Sequence, residues 1–328
     1  MKKAEYSRRG PVPQDVIDVV DFELPPPGAS EVLVEVLAAP INPSDVLSLT
    51  GDYGSLPPLP AIGGNEGVGR VLETGIDVRS LRAGQRVLLP IGGGTWRTHL
   101  IADARALIAL PDRGEPVQLA MLAVNPPTAS LLLSEFVKPK PGEWIIQNAA
   151  NSAVGAYLMQ LARLRGFNTV NIVRREAAVA GARAAGGDVV LVDGDDLAAR
   201  VHGATQGAEI RLGIDAVGGG ATERLARCLA NGGAIVNYGA MSGDACKLSP
   251  ASLIFRDISL RGFWLARWLK QEQASTRAAL FGELAALIAD GTLAAPIAAT
   301  FPIERVKDAV VAAAAGEREG KIVLLPTG

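Results

Sequence analysis

The chain is expected to be a two-domain α/β protein, with a β-rich, irregular, barrel-like domain joined to a doubly wound parallel sheet. Three observations lead there. Its 328 residues are too many for one ordinary hydrophobic core and comfortable for two. Residues 1–119 consist of short apolar runs broken by dense Pro and Gly, as in LPPPG (24–28) and LPPLP (56–60). From 120 to 290 the texture changes to apolar strand-like runs alternating with Ala/Leu/Arg-rich helical stretches, the pattern that builds a parallel sheet covered on both faces.

The elements follow in order. EVLVEVLAAPI (31–41) and QRVLLPI (85–91) read as strands of the first domain, each bounded by turn residues. EWIIQNA (143–149), TVNIVR (169–174), VVLV (189–192), LGIDAV (212–217) and AIVNYGA (234–240) read as buried parallel strands. AYLMQLARLRG (156–166) is a helix with Gly166 as its expected C-cap. GKIVLLPTG (320–328) is one more strand, expected to return to the first domain. The expected boundaries are therefore 1–119 with 291–328, and 120–290.

Composition narrows the function. With 48% hydrophobic residues a sizeable core is possible, and a net charge of −2 argues against a general nucleic-acid binder. The two cysteines, Cys228 and Cys246, give no disulfide framework and no zinc spacing, so a reducing cytoplasm is the expected compartment. The opening residues MKKAEYSRRG lack the apolar segment of a signal peptide, and no apolar run of about 18 residues suggests a membrane span.

The stretch QNAANSAVGAY (147–157) stands where a strand gives way to a helix. A dinucleotide-binding turn uses G-x-G-x-x-G there: the first Gly for a tight turn, the second for close approach to the pyrophosphate, the third for helix–strand packing. Here the three positions hold Ala150, Ser152 and Gly155. Small residues still permit close approach, and Asn151 and Ser152 add side-chain donors to the helix N-terminal amides. By itself the turn is a weak signal, and an ordinary strand–helix connection is the favoured reading. The next strand strengthens the nucleotide reading. NIVRRE places Arg174 and Arg175 where an NAD enzyme carries an acid for the ribose 2′-hydroxyl, and guanidinium groups suit a 2′-phosphate. NADP(H) is the cofactor this pair favours.

Zinc, which serves many two-domain nicotinamide enzymes, is not expected. His99 and His202 are far apart in sequence and in no metal motif. GGNEGVGRV sets Asn65 beside Glu66, where a zinc enzyme of this layout carries His-Glu, and an amide is a poor zinc ligand. Another acid is then needed. Tyr53, in the Gly/Pro-rich loop GDYGSLPPLP, carries a phenol, a group protonated at neutral pH and able to donate to a developing enolate. A loop tyrosine packed on prolines is the plainer alternative.

The motifs INPSD…GDYG, LPAIGGNEGVGRV, GGGTWRT, NPPTA, QNAANSAVG, NIVRRE, NYGAM and LIFRDISLRGFWLARW occur in one order along nearly the whole chain. In that order the chain resembles the zinc-free medium-chain dehydrogenase/reductases, and more narrowly the mitochondrial-type trans-2-enoyl thioester reductases. The resemblance implies a GroES-like catalytic domain beside a Rossmann-type NADP(H)-binding domain. It implies that Tyr53 matches the catalytic tyrosine. Asn125 matches a cofactor contact, and Asn151, Ser152, Ala153 and Val154 match the phosphate turn. Arg174, Arg175 and Glu176 match the adenosine-phosphate segment. Tyr238, Gly239, Ala240 and Met241 match the stretch after a late strand, Phe263, Trp264, Leu265 and Ala266 a further cofactor-side segment, and Lys321 a C-terminal lysine on the cofactor. Two positions depart from the pattern: Ala153 stands where glycine is common, and Arg175 where an acid is common.

The activity so implied is NADPH-dependent reduction of a 2-enoyl thioester carried on coenzyme A or acyl carrier protein, by a homodimer. A quinone or alkenal reductase is the alternative, with a non-catalytic NADPH-binding protein behind it. FRDISLRGFWLARWLKQ holds Arg256, Arg261, Arg267 and Lys270 against one acid, Asp257, a charge excess suited to a phosphorylated thioester arm or simply to a solvated surface.

Overall fold

The computed structural model describes residues 1–316 and 319–327. Its contacts fall into two units, 1–124 with 279–328 and 125–278. The first unit opens with strands β1 (Lys2–Tyr6), β2 (Asp18–Asp21) and β3 (Glu31–Ile41), helix α1 (Pro43–Thr50), strands β4 (Ala61–Ile62), β5 (Val68–Thr74), β6 (Arg86–Leu88), β7 (His99–Asp103) and β8 (Ile108–Ala109), and the short helix α2 (Pro116–Leu119). β3 is the spine. Val32, Val34 and Val36 are fully buried while Leu33 and Glu35 between them are partly exposed, the period-two pattern of a strand with one face on a core. β5 and β7 pair antiparallel with it.

Two of the motifs singled out above turn out to be halves of one contact. Trp96 is fully buried, and Gly63 and Gly64 lie against its ring. A Cβ on Gly63 would sit 2.2 Å from Trp96 Cε3, so GGNEG and GTWRT specify each other.

The second unit contains helix α3 (Asn125–Leu132), then β9 (Trp144–Gln147), α4 (Ala153–Leu164), β10 (Asn168–Val173), α5 (Val179–Ala184), β11 (Val189–Val192), α6 (Leu197–Ala204), β12 (Ile210–Asp215), α7 (Gly219–Cys228), β13 (Ala234–Asn237), β14 (Ser259–Gly262) and α8 (Leu265–Gln271). Its six strands form one sheet in the order β11-β10-β9-β12-β13-β14, and every pairing is parallel. The order reverses between β9 and β12, the switch point at which such sheets bind ligands. Helix α4 ends at Leu164 with Arg165 as its C-cap; Gly166, with φ 74°, follows the cap, and Phe167 N donates back to Ala162 O at 2.8 Å. This is a left-handed glycine one place beyond the cap.

Helix α9 (Ala274–Ala289) leads back to the first unit, which closes with β15 (Ile297–Pro302), α10 (Val306–Ala314) and β16 (Lys321–Leu325). β16 pairs parallel with β15 and antiparallel with β3, Ile322 facing Ile41, so the last strand completes a seven-stranded sheet.

Candidate active site

In the second unit the expected nucleotide residues gather at the C-terminal ends of the strands. β9 runs out at Gln147 and α4 begins at Ala153. Ser152 is the N-cap, its Oγ accepting from Gly155 N at 3.1 Å. Val154 is buried in the first turn. A Cβ on Gly155 would lie 2.5 Å from Ala150 O, a backbone atom that cannot swing away. The third glycine of the fingerprint is thus required by close helix–strand packing, as the motif's physics demands. The left-handed residue of the turn is Ala149, with φ 48°, a position at which glycine carries less strain.

The neighbouring strand ends supply the rest. Arg174 and Arg175 follow β10 directly, and Glu176 opens a short 3-10 turn. Tyr238, Gly239, Ala240 and Met241 follow β13, and burial drives the Tyr238 phenol pKa upward, with Ser152 opposing the rise. Phe263 and Trp264 join β14 to α8, and Leu265 and Ala266 open that helix; Phe263 N donates to Asn237 O at 2.8 Å and its ring meets Phe136 edge-on. Asn125 is the buried first residue of α3.

Of the cationic run near β14, Arg256 is committed to the carbonyls of Ala226 and Leu229 at the end of α7, so it is a structural arginine. Arg261 lies over the Phe136 ring, 5.3 Å from its centroid.

The first unit carries a buried polar network that sequence reading did not assemble. Asn42 precedes α1, and Asp45 Oδ2 accepts from Asn42 N at 2.7 Å. Asn42 Nδ2 donates to Glu66 Oε1 at 2.7 Å, and its Oδ1 accepts from Lys321 Nζ. Asn65 Nδ2 donates to Asp45 Oδ1 at 2.8 Å, which makes Asn65 a donor within a hydrogen-bonded cluster. Asp45, Glu66 and Lys321 are all buried. Burial lifts the Asp45 carboxyl to about 6 against Asn42, Lys321 and Asn65. It lifts Glu66 to about 8, with Lys321 and Asn42 opposing and Asp45 adding to the rise. Lys321 thus sits in the first unit with its ammonium on Asn42. At the far end of α1, Gly51 takes φ 95°, and the amides of Gly51, Asp52 and Tyr53 all donate to Leu47 O. The half-buried Tyr53 is therefore held by its backbone to the helix that the network caps.

This combination of a β-rich unit with a doubly wound unit defines a medium-chain dehydrogenase/reductase. Residues 28–112 match the alcohol dehydrogenase GroES-like domain and residues 153–281 the zinc-binding dehydrogenase domain. Within that family the chain belongs with the mitochondrial-type enoyl thioester reductases. It is 38% identical over 307 residues to the mitochondrial enoyl-[acyl-carrier-protein] reductase of Rattus norvegicus, covering 92% of this chain and 82% of the relative. Among solved structures it resembles the Etr1p complex with NADP and crotonyl-CoA, with TM-score 0.89, 28% identity and 99% of both chains covered. It equally resembles a putative NADPH:quinone reductase from Bacillus thuringiensis, with TM-score 0.89 and 28% identity over 99% of this chain and 98% of that one. Among the described residues no helix is long and apolar enough to cross a membrane.

Proposed function

We propose that the chain reduces the conjugated double bond of a trans-2-enoyl thioester with NADPH. The likeness to an enoyl-[acyl-carrier-protein] reductase over 92% of the chain carries this reading. The nucleotide turn fits a dinucleotide, since Gly155 leaves no room for a Cβ, Ser152 caps α4, and Arg174 and Arg175 follow β10. Those arginines support a 2′-phosphate and hence NADP(H). Asn125, Asn151 to Val154, Arg174 to Glu176, Tyr238 to Met241, Phe263 to Ala266 and Lys321 are the proposed cofactor residues. Residues 120–290 are the proposed nucleotide domain, and 1–119 with 291–328 the catalytic one.

When bound, the reduced nicotinamide supplies a hydride to the β-carbon of the alkene. The residues of the chain do the rest. The α4 N-terminus, with Ser152 as its cap, would hold the pyrophosphate by its free N–H donors and by the helix dipole. Tyr53 donates a hydrogen bond to the thioester oxygen as negative charge moves onto it, and losing such a donor typically costs about 2.7–4 kcal/mol. A proton from water then reaches the α-carbon, so that hydride and proton together saturate the double bond. No metal takes part in this scheme, because Asn65 gives its N–H to Asp45 and the enolate is held by hydrogen bonds.

The likeness to a quinone reductase structure supports the alternative substrate, so the test runs both. NADPH oxidation is measured with crotonyl-coenzyme A, a small quinone and an enal in parallel, before and after dialysis against a strong chelator. The thioester is expected to give the highest kcat/KM, unchanged by the chelator. Quinone kcat/KM above that of the thioester overturns the thioester reading, and loss of activity with loss of zinc overturns the metal-free one. Tyr53→Phe is expected to lower kcat about 10²–10³-fold while NADPH still binds; a wild-type rate reduces Tyr53 to packing.

A homodimer in a reducing cytoplasm is proposed alongside. β14 is a sheet edge with all four residues exposed, flanked by exposed Ile254 and Phe255. Cys228 and Cys246 are both free, and burial pushes the Cys228 thiol up to about 12, which suits an inert side chain.

A further inference from the structure

Asp215 is the last residue of β12 and is fully buried, yet no cation pairs with it among its hydrogen-bond partners. Six donors converge on its two oxygens instead, five N–H or O–H groups and one thiol. Oδ1 accepts from Asn148 Nδ2 at 2.6 Å, Val217 N at 2.9 Å and Gly218 N at 3.1 Å. Oδ2 accepts from Thr222 Oγ1 at 2.7 Å and Asn237 Nδ2 at 3.2 Å, with Cys246 Sγ at 4.0 Å. Two oxygens have about four lone-pair directions between them, so this carboxylate is saturated.

The donors come from places that share one property. Asn148 is the first residue beyond β9, and Val217 and Gly218 form the loop after β12. Asn237 ends β13 immediately before Tyr238. β9 and β12 are the two strands across which the sheet order reverses. The carboxylate therefore ties three adjacent strand ends together at the switch point, on the edge of the sheet where an α/β fold binds its nucleotide.

The ties continue outward. Asn148 Oδ1 accepts from Ala216 N at 2.8 Å, closing a ring with Asp215. With its amides fixed from below, the 216–219 loop presents its carbonyls to the next loop. Ala216 O accepts from Met241 N, Val217 O from both Ser242 N and Ser242 Oγ, and Gly219 O from Lys247 N. Asn237 Nδ2 also holds Gly239 O at 2.9 Å. A Cβ on Gly239 would lie 2.8 Å from Ala216 O, so the two loops are in contact at the backbone. The strand ladder holds the strands as far as Asn237; beyond it, the hydrogen bonds hold the loops, with the Val217 and Gly218 amides on Asp215 and the Ala216 amide on its partner Asn148.

We infer that Asp215 is a positioning residue for the nucleotide: its carboxylate sets the loops after β9, β12 and β13 in the conformation that receives the cofactor. It acts through Asn148, Val217, Gly218 and Asn237 and touches no cofactor atom in this assignment. The inference rests on the proposed NADPH site and adds to it a residue that the family resemblance did not mark.

The opposite edge of the sheet offers a control. Asp188 precedes β11, and its Oδ2 accepts from Thr169 N at 2.8 Å and Thr169 Oγ1 at 2.9 Å, near the start of β10. It too ties neighbouring strands, but at the N-terminal edge.

The experiment compares wild type with Asp215→Asn, Asn237→Ala and Asp188→Asn. NADPH affinity is read by fluorescence titration, without substrate, at a temperature where circular dichroism shows each variant folded; melting temperature is measured separately. Asp215→Asn keeps the shape but turns a donor toward the Asn237 amide. Asn237→Ala removes the side-chain ties from Asn237 to Asp215 and to Gly239 O and leaves the carboxylate. Both are expected to raise the NADPH Kd about ten-fold or more, and to raise the KM for NADPH while the KM for crotonyl-coenzyme A stays within about two-fold. Asp188→Asn is expected to lower the melting temperature with the NADPH Kd unchanged. Should Asp215→Asn fail to fold, Asn237→Ala decides. Wild-type NADPH affinity in Asn237→Ala or in folded Asp215→Asn overturns the inference, as does an equal loss of affinity in Asp188→Asn. The titration needs no enoyl substrate, so a failed thioester reading leaves it standing, and a wild-type protein that binds no NADPH identifies a failure of the cofactor reading instead.

Discussion

Glu66 and Asp45 show how a single residue couples the fold to pH. Both carboxyls are raised by burial, Glu66 to about 8 from 4.5 and Asp45 to about 6 from 3.8. Between those values the folded chain binds more protons than the unfolded one, so their contribution is complete at low pH and is lost as pH rises. The loss runs through about 4–6 for Asp45 and up to about 8 for Glu66. One proton gives a slope of at most about 1.4 kcal/mol per pH unit. Lys321 and Asp45 face Glu66 throughout, and Glu66→Gln removes its share. Thermal melts from pH 5 to 9 are expected to fall less steeply in Glu66→Gln than in wild type; parallel profiles would mean that Glu66 does not carry the titration. Gly155 gives a second expectation at this scale. A methyl group placed 2.5 Å from Ala150 O forces the turn and α4 apart, an overpacking cost of about 1–3 kcal/mol. Gly155→Ala is expected to lower the melting temperature and weaken NADPH binding together, both read in one ligand-dependent melting series.

At the scale of elements, the segment after β10 decides cofactor choice. Arg174 and Arg175 leave the strand where a ribose 2′ substituent is read in this kind of sheet. Arg174→Ala/Arg175→Ala is expected to narrow the NADPH-over-NADH preference in kcat/KM by about ten-fold or more, mostly through KM for NADPH. Equal use of both cofactors by the wild type would remove the reason for the prediction. The strands themselves were legible, because β9, β10, β12 and β13 are apolar runs of the right length between turn residues. The turn after β9 was half legible. Its glycine at 155 announced close packing, but the strained φ at Ala149 has no sequence signature, because alanine is an ordinary residue everywhere else. Asp215 left a trace, a charge at the end of the apolar run LGIDAV, but its partners come from residues 148, 222 and 237. Only the parallel order of the sheet brings those together.

At the scale of the molecule, the exposed edge at β14 bears on assembly. Leu260 and the neighbouring Ile254 and Phe255 present apolar surface beside unpaired strand backbone. Leu260→Asp is expected to shift the protein from dimer to monomer in sedimentation velocity, with the fold retained by circular dichroism; a wild type that is monomeric at all concentrations would end the dimer proposal. What the sequence determined by itself is the architecture, since hydrophobic period and turn chemistry are local properties that need no partner to be read. It also carried the family, because the ordered motifs lie in one line from INPSD to RGFWL. Tertiary structure alone decided the two polar networks. Asn42, Glu66 and Lys321 are up to 279 residues apart, and each looks like an ordinary surface side chain until burial removes its water. A buried polar group must find its hydrogen-bond partners wherever the chain brings them, and that pairing is set by the folded sheet and by no spacing along the sequence.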